Sequence, residues 1–415
     1  MAQHIAWLKE LNKDSIAMIG KKATILAELS KIASIPPAFI IPGESFTSFL
    51  KQSNLDQAIH KKIKGMNIRD AHNLQQIAKD IHKLILQTPI PKFMQEQILE
   101  AYDALNVKDS KLNNLITTDN SKALVAVRSS TIAKENLEES FGGQQASYLN
   151  IEGNNKLLAA IKACWASLYT GRALHYRAKN YIAHKQVSMA IIVQRMINSE
   201  IGGLITTNDK EYLIEASYGM PQLITTGKET GDRFHVNRST LESNKRTTAK
   251  KTCFLTRDPK TNEIVKKMIP LERQHPPCLS NYEIKALAEQ SHRINEAIPV
   301  KDIEFAFEKG KVYITSVHTI PKVKEEAEEE IITESPKEKD ITNATLLLAG
   351  TPLSSGNSKG KVVIVHDIDD LKRVEKGNII VARKTHEDYA SALELASGII
   401  IDRDDPKQHT TLTSL

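Results

Sequence analysis

Two acidic residues, Asp302 and Glu304, alternate within the strand-forming run DIEFAF. Side chains two positions apart on a β-strand point to the same face of the sheet. A pair of carboxylates on one face can hold a hard cation such as Mg²⁺, which prefers oxygen ligands. The alternative is a solvent-facing strand edge, and the spacing alone leaves both interpretations open.

Cations and a glycine-containing loop occur earlier in the chain, in the combination that a polyphosphate requires. Lys22 and Arg128 could neutralise phosphate charge, and an arginine can bind two oxygen atoms at once. The central residues of the loop are Gly142, Gly143 and Gln144, where backbone N–H groups could approach an anion closely. A Gly-Gly pair more often forms a turn, and single lysines or arginines are more often solvated.

A histidine close to the end of the sequence, His409, is a candidate nucleophile. An imidazole nitrogen can attack a phosphoryl group and hold it as a phosphoramidate. His409 is therefore the candidate catalytic residue, against the ordinary alternative of an exposed polar histidine.

The first elements that must position these residues are predicted to be helical. Apolar residues recur at helical spacing over residues 23–32, and the prolines at 36 and 37 should end that helix. Residues 39–41 predict a short buried strand, and helical periodicity returns over residues 56–86. A long amphipathic helix is predicted over residues 156–177.

Short strands dominate the sequence from residue 124 onwards. Runs rich in β-branched residues cover 124–130, 188–196, 202–207 and 211–217. A further strand pair is predicted within 302–317, joined by the tight turn Glu-Lys-Gly-Lys. Hairpins mixed with helices predict an α+β nucleotide-binding domain over residues 1–321.

A charge-dense segment separates this domain from the rest of the chain. Residues 322–343 are of low complexity and lack an apolar face over most of their length, so they predict a linker, with an acidic helix as the alternative. Residues 344–415 contain three strand signals, GKVVIVHD, GNIIVAR and ASGIIID, and predict a small second domain.

Composition excludes several classes of function. At 415 residues, with 40% hydrophobic and 26% charged residues, the chain should form two or three globular domains. The net charge of +6 is spread along the chain and aromatic residues make up only 5%, which argues against a nucleic-acid partner. The three cysteines show no CxxC spacing, so neither a disulfide framework nor a zinc site is expected.

The same composition predicts a cytoplasmic protein. No run approaches the roughly 20 apolar residues that span a bilayer, and the charged N-terminus does not resemble a signal peptide. Sparse, unpaired cysteines fit a reducing compartment. We therefore expect no membrane partner.

Four segments, in order and in register over essentially the whole chain, resemble the phosphoenolpyruvate synthase and pyruvate phosphate dikinase family. They are Ile19–Ala23 (IGKKA), Ala126–Ser130 (AVRSS) with Ser140–Gln145 (SFGGQQ), Asp302–Phe305 (DIEF), and Gly350–Val362 with Ala396–His409. The resemblance implies an ATP-grasp-like nucleotide-binding domain over 1–321. It also implies a small β/α phosphohistidine-type domain, the mobile domain of the family, over 344–415.

The resemblance also implies what the candidate residues do. In the family, the residues that match Lys22 and Arg128 bind ATP, the glycine loop covers its phosphates, and the residue that matches Glu304 helps to hold the Mg²⁺–ATP complex. ATP and Mg²⁺ are thus the implied cofactors. The implied function is an ATP-binding phosphotransferase that transfers a phosphoryl group from ATP to His409.

Several positions depart from the family's pattern. Ser316 and His318 stand where the family has a metal-binding glutamine and a phosphate-binding arginine. Near His409, Asp404 and Asp405 replace paired glycines and would repel phosphate by roughly 1 kcal/mol per close pair, even in water. These changes predict weakened or absent phosphoryl transfer, whereas nucleotide binding could survive.

The family's complete enzymes continue into a large barrel that binds pyruvate or phosphoenolpyruvate, whereas this sequence ends six residues after His409. We therefore expect a truncated phosphohistidine domain and no pyruvate site in this chain. A separate barrel-domain protein, or another phosphoryl acceptor, would then be its partner. The alternatives are a non-catalytic nucleotide-binding pseudoenzyme and a decayed synthase fragment.

Overall fold

The computed structural model describes residues 3–67, 70–113, 122–132, 146–227, 229–258, 261, 263–319, 356–383, 389–393 and 395–402. The chain divides into two compact units, residues 1–319 and 320–415. The predicted linker lies outside the described residues. So do the loop residues Gly142, Gly143 and Gln144, the candidate nucleophile His409, and the pair Asp404 and Asp405.

The N-terminal part of the first unit is mostly helical, as predicted. Its elements are β1 (Ala6–Trp7), α1 (Ile16–Leu29), β2 (Ala38–Ile41), α2 (Gly43–Gln52), α3 (Leu55–Lys64), α4 (Ala71–Gln87) and α5 (Lys92–Asn113). The predicted buried strand is confirmed, because all four residues of β2 are buried. The predicted helical stretch over 56–86 consists of two helices, the second capped by Asp70, whose carboxylate accepts a hydrogen bond from the Asn73 N–H.

A five-stranded antiparallel sheet follows, with helices on both faces. Its later strands are β3 (Val125–Ile132), β4 (Ser147–Ile151) and β5 (Ser188–Arg195), and the strand order is β1-β2-β5-β3-β4. One face contributes Val125 and Val127 to a large core shared with helices α2 to α5. The opposite face packs Ile40 and Ile192 against α1. Alternate residues of β3 therefore point towards different helices.

The prediction of a single long helix over residues 156–177 is wrong. Two helices, α6 (Asn154–Ala166) and α7 (Gly171–Lys179), are separated by a short 3₁₀ turn over Ser167–Tyr169. Thr170 breaks the helical path because its backbone is extended (φ −65°, ψ 156°), and its side chain accepts a hydrogen bond from the Ala173 N–H at 3.2 Å. Thr170 is thus the N-cap of a new helix.

A six-stranded antiparallel sheet completes the first unit. The elements are β6 (Ile201–Thr207), β7 (Glu211–Tyr218), α8 (Gln222–Thr225), β8 (Asp232–Asn237), β9 (Ser243–Thr247), β10 (Cys253–Arg257), β11 (Ile264–Met268), α9 (Leu271–Gln274), α10 (Asn281–Ala297), β12 (Val300–Glu308) and β13 (Lys311–Thr319). The sheet order is β13-β12-β6-β7-β8-β9, and β10 and β11 form a separate hairpin. The predicted turn between β12 and β13 is confirmed, with positive φ at Lys309 (52°) and Gly310 (71°).

The second unit contains a small parallel sheet. Its described elements are β14 (Val362–Val365), β15 (Ile379–Ala382), α11 (Ala390–Leu393) and β16 (Gly398–Ile401), with strand order β14-β15-β16. The three predicted strands are confirmed, and the chain is a mixed α+β protein as expected. Among the described residues, no helix has both the length and the apolar character needed to cross a membrane.

Candidate functional site

A kink at Gly20 sets the position of Lys22 within α1. Gly20 has a φ of 73°, in the left-handed region that favours glycine. A side chain there would also collide with β3, because an added Cβ would lie 2.5 Å from the Thr131 carbonyl oxygen and 2.8 Å from Ser130 Oγ. Glycine thus allows the helix to lie directly against the strand, with Lys22 two residues further on.

The hydroxyl of Ser130, which is fully buried, joins α1 to β3. It donates a hydrogen bond to the Ile19 carbonyl oxygen at 2.7 Å and accepts one from the Ala23 N–H at 3.1 Å. Arg128 precedes Ser130 by two positions, so its side chain points to the same face of the sheet. One hydroxyl therefore fixes the spacing between the helix that carries Lys22 and the strand that carries Arg128.

Asp302 and Glu304 share one face of β12, as the sequence predicts. Ile303 between them is fully buried in the core on the opposite face. Across the ladder to β13, Asp302 pairs with His318 and Glu304 pairs with Ser316. Two of the positions that depart from the family pattern therefore lie directly opposite the two candidate metal ligands.

The electrostatics show that Lys22 is close to both Arg128 and Glu304. Burial and, to a smaller extent, the positive charge of Arg128 lower the pKa of Lys22 from its usual 10.5 to about 8. The carboxylate of Glu304 acts in the opposite direction. The structure thus brings together two cations and one carboxylate that the sequence separates by up to 282 positions (304 minus 22).

Arg128 is incompletely hydrogen-bonded by the protein. One guanidinium nitrogen donates to the Thr315 carbonyl oxygen on β13 at 3.2 Å. Its Nε is buried and has no hydrogen-bond partner. Burial lowers the pKa of Arg128, and Glu304 partly offsets that effect. An unsatisfied buried donor costs about 1–3 kcal/mol, which an acceptor-rich ligand would recover.

His318 is part of the same electrostatic cluster, although its side chain still reaches solvent. Burial by the surrounding protein lowers the pKa of His318. Glu304 and Asp302 raise it, and Lys22 and Arg128 lower it. Sequence reasoning noted His318 only as a departure from the family pattern. Its cross-strand pairing with Asp302 places it beside the predicted site.

A small cleft, partly open to solvent, lies between α1, the five-stranded sheet and β13. Its lining residues are Lys22, Ile25, Leu26, Arg128, Ile192, Thr315, Ser316 and Val317. The two cations thus share a cleft with an apolar wall. Sequence reasoning missed that wall, as well as Thr315 and Ser130. The serine belongs to the AVRSS segment, but its contacts depend on a helix more than 100 residues away.

The two carboxylates suit Mg²⁺ better than a metal that needs an all-protein cage. Within the described residues, no group of three or more His, Cys, Asp or Glu side chains could hold a metal ion. Mg²⁺ is commonly held by one or two carboxylates together with substrate phosphates and water. Glu304, which is close to Lys22 and Arg128, and Asp302, on the same face of β12, fit that pattern.

Two cations beside a cleft are side chains of the kind that bind the phosphates of a nucleotide. Residues 16–339 match the family described as "Pyruvate phosphate dikinase, AMP/ATP-binding domain". The chain belongs to this family, and the resemblance found in its sequence is confirmed. The family is one of ATP-binding phosphotransferases.

Relatives of known description are similar over nearly the whole chain. The probable phosphoenolpyruvate synthase of Methanothermobacter thermautotrophicus is 30% identical over 421 residues, covering 100% of this chain and 59% of the relative. The corresponding protein of Methanocaldococcus jannaschii is 32% identical, covering 96% of this chain and 33% of the relative. The phosphoenolpyruvate synthase of Pyrococcus furiosus is 28% identical, covering 99% and 54% respectively. The chain thus spans between a third and three fifths of these relatives.

Proposed function

We propose that this chain binds Mg²⁺–ATP in the cleft of the first unit and acts as an ATP-dependent phosphotransferase resembling phosphoenolpyruvate synthase. The observation that carries the proposal is the convergence of Lys22, Arg128 and Glu304 beside one cleft. The buried Nε of Arg128, which has no protein partner, is a donor that a phosphate oxygen would satisfy.

Each residue has a distinct role in this proposal. Lys22 and Arg128 bind the phosphates, with arginine contributing directional hydrogen bonds and lysine a compact charge. Glu304, together with Asp302, holds Mg²⁺. The metal ion would neutralise charge on the phosphates and orient them. The apolar wall of Ile25, Leu26 and Ile192 limits the access of water to the phosphates.

The glycine loop with Gly142, Gly143 and Gln144 covers the phosphates in this proposal. The described structure supports it at the point where the loop returns to the sheet. Ser129 donates two hydrogen bonds to the Ala146 carbonyl oxygen, from its N–H at 3.0 Å and from its hydroxyl at 3.2 Å. Since Ser129 is next to Arg128 in β3, this contact fixes Ala146, from which the loop would extend, beside the strand that carries Arg128.

The first unit is proposed to be the ATP-grasp-like domain, over residues 1–321, and residues 344–415 the phosphohistidine domain. An imidazole nitrogen of His409 would bond to a phosphorus atom of ATP while the bond from that phosphorus to its leaving oxygen breaks. The connecting residues 322–343 would have an r.m.s. span of roughly 25 Å if they are flexible. A separate barrel-domain protein, or another acceptor, would then take the phosphoryl group.

A second candidate is a nucleotide-binding relative that does not transfer phosphate. The observation that favours it is the pairing of β12 with β13, which puts Ser316 opposite Glu304 and His318 opposite Asp302. A serine side chain is shorter than a glutamine side chain. From the same backbone position its oxygen therefore reaches less far towards a metal ion. Histidine likewise lacks the fixed charge of arginine. Asp404 and Asp405, which precede His409 in the sequence and would repel phosphate, also favour this second candidate.

Incubation with Mg²⁺ and ATP labelled at the β or γ phosphorus separates the two candidates. Transfer predicts an acid-labile, base-stable label on the protein that disappears in His409→Ala. The matched control is His366→Ala, which removes an exposed histidine of the same unit and should retain the label. Stabilisation by ATP without label on the wild-type chain would support the second candidate. Absence of any effect of ATP would contradict both.

A further inference from the structure

The net positive charge of the chain is concentrated in one stretch, which runs from β8 to α9. Residues 232–275 contain 11 lysines and arginines and 5 acidic residues, a net charge of +6. The rest of the chain contains 45 residues of each kind (56 minus 11, and 50 minus 5), so its charges cancel. Lysines and arginines occur throughout the sequence, but the expectation that the net charge is spread along the chain is wrong.

Strand β9 (Ser243–Thr247) lies within this stretch and forms one edge of the six-stranded sheet. Among the described residues, β8 is the only strand that pairs with β9. All five residues of β9 are exposed. In an antiparallel pair, alternate residues direct their backbone N–H and C=O groups away from the partner strand. The outer edge of β9 therefore presents backbone donors and acceptors to a further strand.

The cations along this edge have no carboxylate partner within the described part of the chain. Lys245 and Arg246 of β9 make no ion pair there, and neither does the exposed Lys250, three residues beyond the strand. On the neighbouring strand β8, by contrast, Arg233 lies 3.2 Å from a carboxylate oxygen of Glu215. Uncompensated positive charge therefore lies along the open edge.

The two faces of β9 suit different side chains of a partner. Arg246 pairs across the ladder with the buried core residue Phe234, so Lys245 points to the opposite face of the sheet. The guanidinium of Arg246 lies over the Phe234 ring, 5.6 Å from its centroid, and donates a hydrogen bond to Asn281. Tyr282, the next residue, is 83% exposed. One face thus offers a cation to an acidic side chain, and the other offers apolar surface.

We propose that the outer edge of β9 binds an acidic protein segment, which adds to the sheet as a further strand. In this mode of recognition, backbone hydrogen bonds supply affinity and alternate side chains supply specificity. A nucleic acid has no matching row of peptide groups. The surface is separate from the proposed ATP site, because three strands lie between β9 and β12.

Exposed charges are also a common means of preventing sheet edges from pairing with one another. This alternative and the proposal agree for a second copy of β9, which the like charges of Lys245 and Arg246 would repel. They differ for an acidic segment, which the same charges attract. Binding of an acidic strand-forming peptide therefore separates them.

An octapeptide that alternates glutamate and valine, labelled with fluorescein, is the probe, used with the full chain. Glutamate would lie on the face of Lys245 and valine on the face of Arg246 and Tyr282. Fluorescence anisotropy measures binding, and hydrogen exchange with mass spectrometry measures protection of the β9 amides. We expect saturable binding that protects residues 243–247 and weakens as salt is added.

A peptide that alternates glutamate and proline is the control for backbone pairing. It carries the same charge, but proline lacks the N–H that a strand ladder needs. We expect it to bind at least about tenfold more weakly, because several backbone hydrogen bonds are lost.

Charge reversal tests the contribution of the side chains. Lys245→Glu combined with Lys250→Glu should weaken binding of the glutamate–valine peptide by about tenfold, since like charges then replace opposite ones. The matched control is Lys51→Glu combined with Lys64→Glu, which makes the same change in net charge at exposed positions of α2 and α3. It should change binding by less than about twofold, because distant exposed charges are screened. Urea unfolding checks that both variants fold.

Four results would overturn the proposal. The first is no binding of the glutamate–valine peptide. The second and third are equal binding of the two peptides, and binding without protection of β9, since either would reflect charge alone. The fourth is tighter binding of an oligothymidylate of equal charge, which would assign the surface to a nucleic acid.

Discussion

Two lysines of the first unit have opposite surroundings. Lys251 is 2% exposed, and its Nζ lies 2.7 Å from the Oδ1 atom of Asp232, which is fully buried. Asp232 also accepts hydrogen bonds from the Ala249 N–H at 2.9 Å and the Cys278 N–H at 2.7 Å. Each charged group of this pair therefore has the other as a partner, together with backbone hydrogen bonds.

Lys22 instead lies beside a second cation, Arg128, and Glu304 offsets their charge only in part. The first arrangement joins β8 to the segments on either side of the β10–β11 hairpin. The second leaves excess positive charge next to a cleft. The comparison shows that two lysines of one unit differ in how far neighbouring carboxylates offset their charge.

Removal of Lys251 should have the largest effect on stability. In Lys251→Met the Asp232 carboxylate stays buried without its cation, so we expect a loss of about 3–5 kcal/mol in the free energy of unfolding. Urea unfolding followed by tryptophan fluorescence measures it, since both tryptophans, Trp7 and Trp165, are in the first unit. Lys250→Met, at an exposed neighbour, is the control and should change little. A loss below about 1 kcal/mol would show that the pair is not structural.

Lys22→Met should stabilise the protein, whereas Lys251→Met should destabilise it. Lys22→Met removes a charge that the folded state disfavours, so the free energy of unfolding at pH 7 should rise by about 1–3 kcal/mol. The same unfolding experiment measures the change, and Lys21→Met is the matched control. Destabilisation by Lys22→Met comparable with that of Lys251→Met would remove the contrast between the two lysines.

The stabilisation by Lys22→Met should also depend on pH. The pKa of Lys22 is about 8 when folded and is expected to be near 10.5 when unfolded. The unfolded chain therefore binds more protons between these values, and the stability of the wild-type chain rises with pH across that window. The advantage of Lys22→Met should be complete below pH 8 and vanish above 10.5. A gap between the two proteins that stays constant from pH 7 to 11 would contradict this account.

The smallest change in the free energy of unfolding is expected for the N-cap of α10, the helix that follows the Lys251–Asp232 ion pair in the sequence. Ser280 caps α10, accepting a hydrogen bond from the Glu283 N–H, while Glu283 accepts one from the Ser280 N–H at 2.7 Å. Ser280→Ala should cost about 1 kcal/mol. A cost equal to that of Lys251→Met would mean that local helix capping, rather than the buried pair, secures this region.

Much of the architecture could be predicted from local patterns. The alternation in DIEFAF placed Asp302 and Glu304 on one face, and β-branched residues marked the positions of most strands. The prolines at 36 and 37 indicated that α1 ends before them, but the helix begins at Ile16, seven residues before the predicted start at residue 23. Helix α10 was missed, although its Ser-x-x-Glu capping box is present at Ser280 and Glu283. The break at Thr170 was missed because apolar periodicity continues through it.

The candidate site was predictable only in part, because its geometry depends on distant contacts. No local signal at Gly20 predicts a kink that needs the hydroxyl of Ser130, more than 100 positions away. The excess of positive charge in the cleft likewise depends on how β12 and β13 pack beside α1. The sequence was enough to propose the residues of the site. Their pKa values and their unsatisfied hydrogen-bond donors depend on the folded structure.

The most direct test of the central claim is equilibrium unfolding with and without Mg²⁺–ATP, for the wild-type chain and for Arg128→Gln. If the cationic cleft binds the triphosphate, ATP at a hundred-fold excess over its dissociation constant should stabilise the wild-type first unit by about 2.7 kcal/mol. The same concentration should stabilise Arg128→Gln much less. No stabilisation of the wild-type chain, or equal stabilisation of both proteins, would contradict the account.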